Sequence, residues 1–315
     1  MVRIRKILCP IDFSDFSRHA FDRAVAIARS YSAQVTALHV VPIKIASPLL
    51  PYVEPESLGP FEISDATRAL IVRDLRQFLA VDGSLGVRVT FEAVEAPDVH
   101  QEILVEAGCL PADLIVMGTH GRSGFERLIL GSVTEKVLRK AVAPVLTVPC
   151  AVADAVPAGR APFRRVLCAV DFSECSIAAL RYASSLAEEA EAQLAAVHVM
   201  ELAPPLYDPL VGPALDLPGY RDTCEIVSRQ RLQNVIPAAL RTSTRVDVFV
   251  ACGKPHHEIL RLADEWQSDL IVLGAHGRNV LDRVLFGSTV EPVVRRAPCP
   301  VLTVRAPAPA ASAAA

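Results

Sequence analysis

Five short apolar runs, spaced by helical periodicity, occur twice along the chain. In the first half they are Lys6–Ile11, Gln34–Val41, Val87–Val94, Asp113–Gly118 and Pro144–Val148. They are near-continuous in Val, Ile and Leu. That is the pattern of strands buried on both faces, as in a parallel sheet. Between the first two runs, Ala20, Ala24, Ile27, Ala28 and Tyr31 fall on the period of an amphipathic helix. Ala179, Ala183, Leu186, Ala187 and Ala190 repeat that face in the second half. Further helices are expected over 62–82, 97–109 and 132–141. The alternation β-α-β-α-β-α-β-α-β predicts an α/β fold, a doubly wound parallel five-stranded sheet, built twice in tandem.

The two halves match segment by segment. "RKILCPIDFS" at 5–14 answers "RRVLCAVDFS" at 164–173, and "ADLIVMG" at 112–118 answers "SDLIVLG" at 268–274. "APVLTVP" at 143–149 answers "CPVLTVR" at 299–305. The repeat is too long for a solenoid unit and reads as a duplicated domain. Domain one is expected over 1–150, a small-residue linker over 151–162, domain two over 163–305 and a low-complexity tail over 306–315. Pro-rich segments 42–60 and 201–219 follow the second strand of each copy, as surface insertions or as cover for a site.

Composition narrows the function. A net charge of -3 and a pI near 6.3 argue against a polyanion partner, so nucleic acid is not expected. No apolar run approaches the ~18 residues of a membrane span. The eight cysteines form no CxxC pair. Cys9 and Cys168 sit inside apolar strands and read as buried thiols. The N-terminal stretch reads as a strand rather than a secretory leader, and a cytoplasmic protein is expected.

The chemistry lies after the fourth strand. "VMGTHGRSGFERLILGS" (116–132) returns as "VLGAHGRNVLDRVLFGS" (272–288). Both keep G-x2-G-x9-G-S: Gly118, Gly121, Gly131, Ser132, then Gly274, Gly277, Gly287, Ser288. Glycine lets backbone approach a ligand closely, and a helix N-terminus offers free N–H groups that suit phosphate. Ligands in open parallel sheets sit beyond the strands' carboxyl ends, where the strand order reverses. If strands one and four are neighbours there, Asp12 and Gly118 face one crevice. A plainer alternative stands beside this. Ser132-x-x-Glu135 and Ser288-x-x-Glu291 read as capping boxes, with the serine doing no more than capping its helix. Asp12 and Asp171 likewise precede Phe-Ser and could only cap the next helix. Neither GxxxxGK[ST] nor a GxGxxG after strand one is present.

Taken in order, "ILCPIDFS", "HVV", "ADLIVMGTHGRSG", "LGSVTEKVLRKA" and "PVLTV" resemble the universal stress protein family, in its tandem form, over 3–149 and 163–305. The resemblance implies a Rossmann-like sheet of the adenine nucleotide alpha-hydrolase kind. The implied ligand is ATP, or ADP or AMP, with or without Mg2+. By the same resemblance Pro10, Ile11 and Asp12, with Ala169, Val170 and Asp171 in copy two, face the nucleoside. Backbone at Val40 and Val199 meets the adenine. Met117, Gly118, Gly121, Arg122, Gly131, Ser132 and Val133 wrap ribose and phosphates. Leu273, Gly274, Gly277, Arg278, Gly287, Ser288 and Thr289 do so in copy two. Copy one carries Glu95-Ala-Pro97 where copy two carries Gly253-x-Pro255.

The implied role is stress-response signalling or partner binding that depends on the bound nucleotide. A slow ATPase and a scaffold with relic loops remain open. His120 and His276 stand in the loops as conceivable general bases, but no second acid or nucleophile stands at recognisable spacing. His39 and His198 read as packed strand residues, and His256-His257 as a weak metal signal. No catalytic or metal-ligating residue is assigned. The last strands, 144–148 and 300–304, lie at sheet edges in this topology. They invite pairing of the two domains within a chain, or between chains of a homodimer.

Overall fold

The computed structural model describes residues 2–43, 64–80, 86–121, 130–149, 162–201, 220–237, 246–276 and 287–306. Arg122, Gly277 and Arg278 lie outside the described residues, as do nearly all of the linker, the tail and the Pro-rich segments. The chain divides into two compact units, Arg3–Pro162 and Phe163–Ala315, the second taking in Met1–Val2.

The first unit runs β1 (Lys6–Pro10), α1 (Asp15–Tyr31), β2 (Gln34–Pro42), α2 (Asp65–Phe78), β3 (Val89–Ala96), α3 (Val99–Cys109), β4 (Leu114–Gly118), α4 (Ser132–Lys140) and β5 (Val145–Val148). Its strand order is β3-β2-β1-β4-β5. Each neighbouring pair is parallel. The second unit runs β6 (Arg165–Ala169), α5 (Glu174–Glu189), β7 (Gln193–Met200), α6 (Tyr220–Val235), β8 (Val246–Cys252), α7 (Pro255–Glu265), β9 (Leu270–Gly274), α8 (Val290–Arg296) and β10 (Val301–Val304). Its order, β8-β7-β6-β9-β10, is the same arrangement, again with parallel neighbours. The doubly wound fold expected from the apolar runs is therefore present in both units.

The core follows from those runs. β4 is buried at every residue, and Leu8, Cys9, Leu167 and Cys168 are fully enclosed. Such strands need a helix layer on each face. On α1 the buried face holds Ala20, Ala24, Ile27 and Ala28, while Tyr31 at the last turn is half-exposed. The third strand begins at Val89, two residues later than the apolar run suggested, and extends to Ala96. An aspartate ties the amino ends of the central strands in each unit. Asp113 Oδ2 accepts from the Arg5 and Lys6 amides at 2.8 and 3.0 Å. Asp269 accepts from the Arg164 and Arg165 amides at 2.7 and 3.0 Å.

Gly118 and Gly274 end β4 and β9 hard against the first turn of α1 and α5. A Cβ on Gly118 would stand 2.8 Å from Phe16 Cβ and 3.0 Å from the Phe16 backbone. On Gly274 it would stand 2.7 Å from the Ser176 amide. These glycines are required by helix packing. This is a packing reason for glycine, additional to the close approach to a ligand that the spacing suggested.

Two outcomes follow. Gly118→Ala should destabilise the first unit by about 1–3 kcal/mol, the usual cost of overpacking, seen as a lower denaturant midpoint. An unchanged midpoint would contradict the packing. For the thiols, burial pushes Cys9 and Cys168 up, with Asp22 adding to the effect at Cys9. Exposed Cys109 should label at once in the native protein, and Cys9 and Cys168 only on unfolding.

Candidate functional site

After β1 the chain makes an Asp-Phe-Ser turn that both units build alike. Asp12 Oδ1 accepts from the Ser14 amide at 3.1 Å and the Ser14 hydroxyl at 2.5 Å. Ser14 Oγ then caps α1 by accepting from the Ser17 amide at 3.2 Å. In the second unit Asp171 Oδ1 accepts from Ser173 N and Oγ at 2.9 and 2.6 Å, and Ser173 caps α5 through Ser176. The serine, not the aspartate, is the cap. The turn puts Phe13 at φ 62° and Phe172 at φ 67°, a left-handed conformation unfavourable for an aromatic residue. Each ring is held: Phe13 lies 4.8 Å from the His39 ring and 5.4 Å from Phe78. Phe172 lies 4.6 Å from the His198 ring, with the Arg231 guanidinium 4.0 Å above it.

β1 and β4 are neighbours, so this turn faces the loop after β4. Gly121 comes so close that a Cβ there would stand 2.5 Å from Asp12 Oδ2. The far end of the loop is fastened to its start. The Gly131 amide donates to Thr119 O at 2.9 Å, and Thr134 Oγ1 donates to Gly118 O at 2.9 Å.

The capping-box reading is corrected here. Gly131 is the N-cap of α4, Ser132 is its first helical residue, and no side chain caps the helix. In the second unit Thr289 is the N-cap of α8, again with no side-chain hydrogen bond. Helices α1, α2, α3 and α5 all have side-chain caps. The opening N–H groups of α4 have no intrahelical acceptor, and they carry the positive end of the helix dipole.

A cavity of about 280 Å³ lies between these parts, lined by Pro10, Ile11, Asp12, Leu38, Val40, Val99, Ile103, Met117, Gly118, His120, Gly121, Gly131, Ser132, Val133 and Thr134. The second unit holds one of about 500 Å³ in the same place. Ala169, Val170, Asp171, Val199, Leu273, Gly274, His276, Gly287, Ser288 and Thr289 line it, joined by Glu201, Cys224, Ser228, Pro255 and Ile259. Every site residue named from the sequence that lies among the described residues is thus brought to one of two cavities.

Several lining residues carried no sequence assignment. Ile103 and Ile259 form an apolar wall from α3 and α7, and their shared "EIL" was a usable signal. Cys224 and Ser228 of α6 line only the second cavity. His39 and His198 were read as packing residues, but each makes a hydrogen bond. Their Nδ1 atoms lie 2.7 Å from the Ile11 and Val170 carbonyl oxygens.

The helix starts beside the cavities show how the repeats correspond. Asp98 caps α3 and Lys254 stands at the N-cap of α7, so Gly253 answers Pro97 and Pro255 answers Val99. The alignment of Gly253-x-Pro255 with Glu95-Ala-Pro97 is therefore two residues out of register. The charge differs as well. Desolvation acts to raise the Asp98 pKa, yet the His100 ring and the His100 and Gln101 amides hold it below the usual range. In the second unit His256, which answers His100, is held below the usual histidine value by burial and by His257, Arg296 and Lys254. Among the described residues no group of three His, Cys, Asp or Glu could hold a metal ion, and no helix is long and apolar enough to cross a membrane.

Comparison with known proteins agrees with the fold. A universal stress protein of Methanocaldococcus jannaschii is 37% identical over 145 residues, covering 46% of this chain and 81% of that protein. A universal stress protein of Mycobacterium tuberculosis is 28% identical over 284 residues, covering 86% of this chain and 87% of its own length. The crystal structure of a universal stress protein from Archaeoglobus fulgidus shares the fold, with a TM-score of 0.62 and 23% identity over 96% of this chain and 98% of that one. The sequence model of the Universal stress protein family matches twice, over residues 3–149 and 162–305, and the chain belongs to that family.

Proposed function

We propose that the protein binds an adenine nucleotide, ATP foremost, in each of its two units, and acts in the stress response by nucleotide-dependent signalling or partner binding. The observation that carries this reading is the uncapped start of α4, at the mouth of a cavity whose other end is apolar. Free helix N–H groups suit phosphate oxygens. Leu38, Val40, Val99, Ile103 and Met117 offer the apolar surface that a base needs. Asp12, facing Gly121 between these two regions, suits a ribose hydroxyl as an acceptor. The second cavity repeats the arrangement with Asp171, Ser288 and Thr289.

The parts divide the work by chemistry. The loop glycines let backbone close over the ligand, the helix start neutralises phosphate charge, and the strand-end turn orients the nucleoside. Mg2+ would ride on the phosphates, where it needs no more than one or two protein carboxylates.

Mass spectrometry of molecules released from freshly purified protein, with calorimetry on the stripped protein, tests this. Two adenine nucleotides per chain are expected. Gly121→Val should leave one, because its Cβ would meet Asp12 Oδ2 at 2.5 Å and push the carboxylate off its turn. Two nucleotides retained by a folded Gly121→Val protein would move the site elsewhere, and no nucleotide at all would end the reading.

A further inference from the structure

The two histidines that meet β1 carry a consequence for base recognition, and it rests on the adenine-nucleotide reading above. Parallel pairing of β1 with β2 ends at Pro10↔Leu38. One more rung follows, from the Ile11 amide to Leu38 O at 2.7 Å. In a parallel ladder, residues of one strand turn their N–H and C=O alternately to each side. Gln34 and Leu38 turn theirs to the β1 side, and Val35 turns its to the β3 side. Val40 therefore turns its N–H and C=O toward β1. The next rung should run from the Val40 amide to Ile11 O. Among the described residues that rung is not made. His39 Nδ1 takes the Ile11 carbonyl instead, at 2.7 Å. A carbonyl only accepts, so Nδ1 carries the proton.

The second unit repeats this in detail. The Val170 amide donates to Val197 O at 2.8 Å, and His198 Nδ1 takes Val170 O at 2.7 Å. Val199 is left in the position of Val40. Beyond the rung, the turn through Phe13 or Phe172 at positive φ carries the chain away. No β1 or β6 backbone is then left to pair with Val40 or Val199. Both valines line their cavities, and Val40 is only 6% exposed. A backbone N–H at such a depth is costly without a partner.

We infer that His39 and His198 are positioning residues for base recognition: each substitutes its Nδ1–H for a ladder rung, and so releases the Val40 or Val199 backbone donor and acceptor to the edge of the bound purine. The base presents an acceptor nitrogen beside an amino donor, which matches an N–H and a C=O on one side of one residue. Guanine presents the opposite order on the corresponding edge. The histidine therefore acts on base selectivity without touching the ligand.

The test uses the full chain with His39→Leu, His198→Leu and the matching asparagine variants, whose amide nitrogen can stand near Nδ1 and restore the donor. Calorimetry with ATP, GTP and inorganic triphosphate separates base recognition from phosphate binding. Leucine should weaken ATP at the altered site by roughly tenfold, the scale of one hydrogen bond. It should shrink the ATP-over-GTP preference by a similar factor and leave triphosphate unchanged, and asparagine should recover most of the loss. Amide exchange without ligand gives an independent readout. Val40 and Val199 should exchange fast in the wild type and asparagine variants, and slow down in the leucine variants as the rung closes. Equal weakening of all three ligands, or unchanged ATP affinity in a folded leucine variant, would overturn the inference. Slow Val40 exchange in the ligand-free wild type would overturn it too. Failure of the wild type to bind ATP would instead sink the nucleotide reading, while exchange at Val40 still decides what the histidine does.

Discussion

Two parallel strands that lie side by side, with the chain leaving them for opposite directions along the sheet, cannot close over their own carboxyl ends. In each unit the central strand, β1 or β6, is paired on one side with the strand that follows it and on the other with β4 or β9. The remaining features adapt to that gap. The Asp-Phe-Ser turn lines one bank and the glycine loop the other. The helix after the loop starts at the gap without a side-chain cap. The aspartates at the opposite end of the strands, Asp113 and Asp269, fix the register of the same strands from below.

The layers were legible in the sequence because burial on both faces leaves a signature that side-chain type alone can carry. The duplication was legible for the same reason, and it placed Asp12, Gly121 and Ser132 with their partners in the second half. What could not be read was direction. Spacing marks Gly118 as special but does not say which side of it is crowded, and the crowding comes from Phe16 on α1. Serine followed three residues later by glutamate suggests a cap, yet the helix begins one residue sooner than that pattern needs. His39 looked like packing because a side chain that replaces a backbone rung shows only when the strand register is known. The two-residue slip around Gly253 has a similar source: Pro97 and Pro255 attract alignment, but the helix starts set the true correspondence.

The units share a backbone design and differ in their walls. The first cavity is the smaller, and Asp98, the cap of α3, is next in the chain to its lining residue Val99. The second is larger and is reached by Cys224 and Ser228 of α6, with the N-cap Lys254 next in the chain to its lining residue Pro255.

Phe13 and Phe172 invite a last comparison. A residue with a Cβ held in the left-handed region costs on the order of 1–3 kcal/mol, and glycine at the same position would relieve it. The chain tolerates that strain at both turns. A glycine would relax the backbone but leave His39 and His198 without the aromatic face they lie against. The phenylalanines are thus a case where a locally worse residue makes the better protein. A redesign that scored each position by its backbone alone would choose glycine here, and would lose the ring that packs against the histidine of the cavity strand.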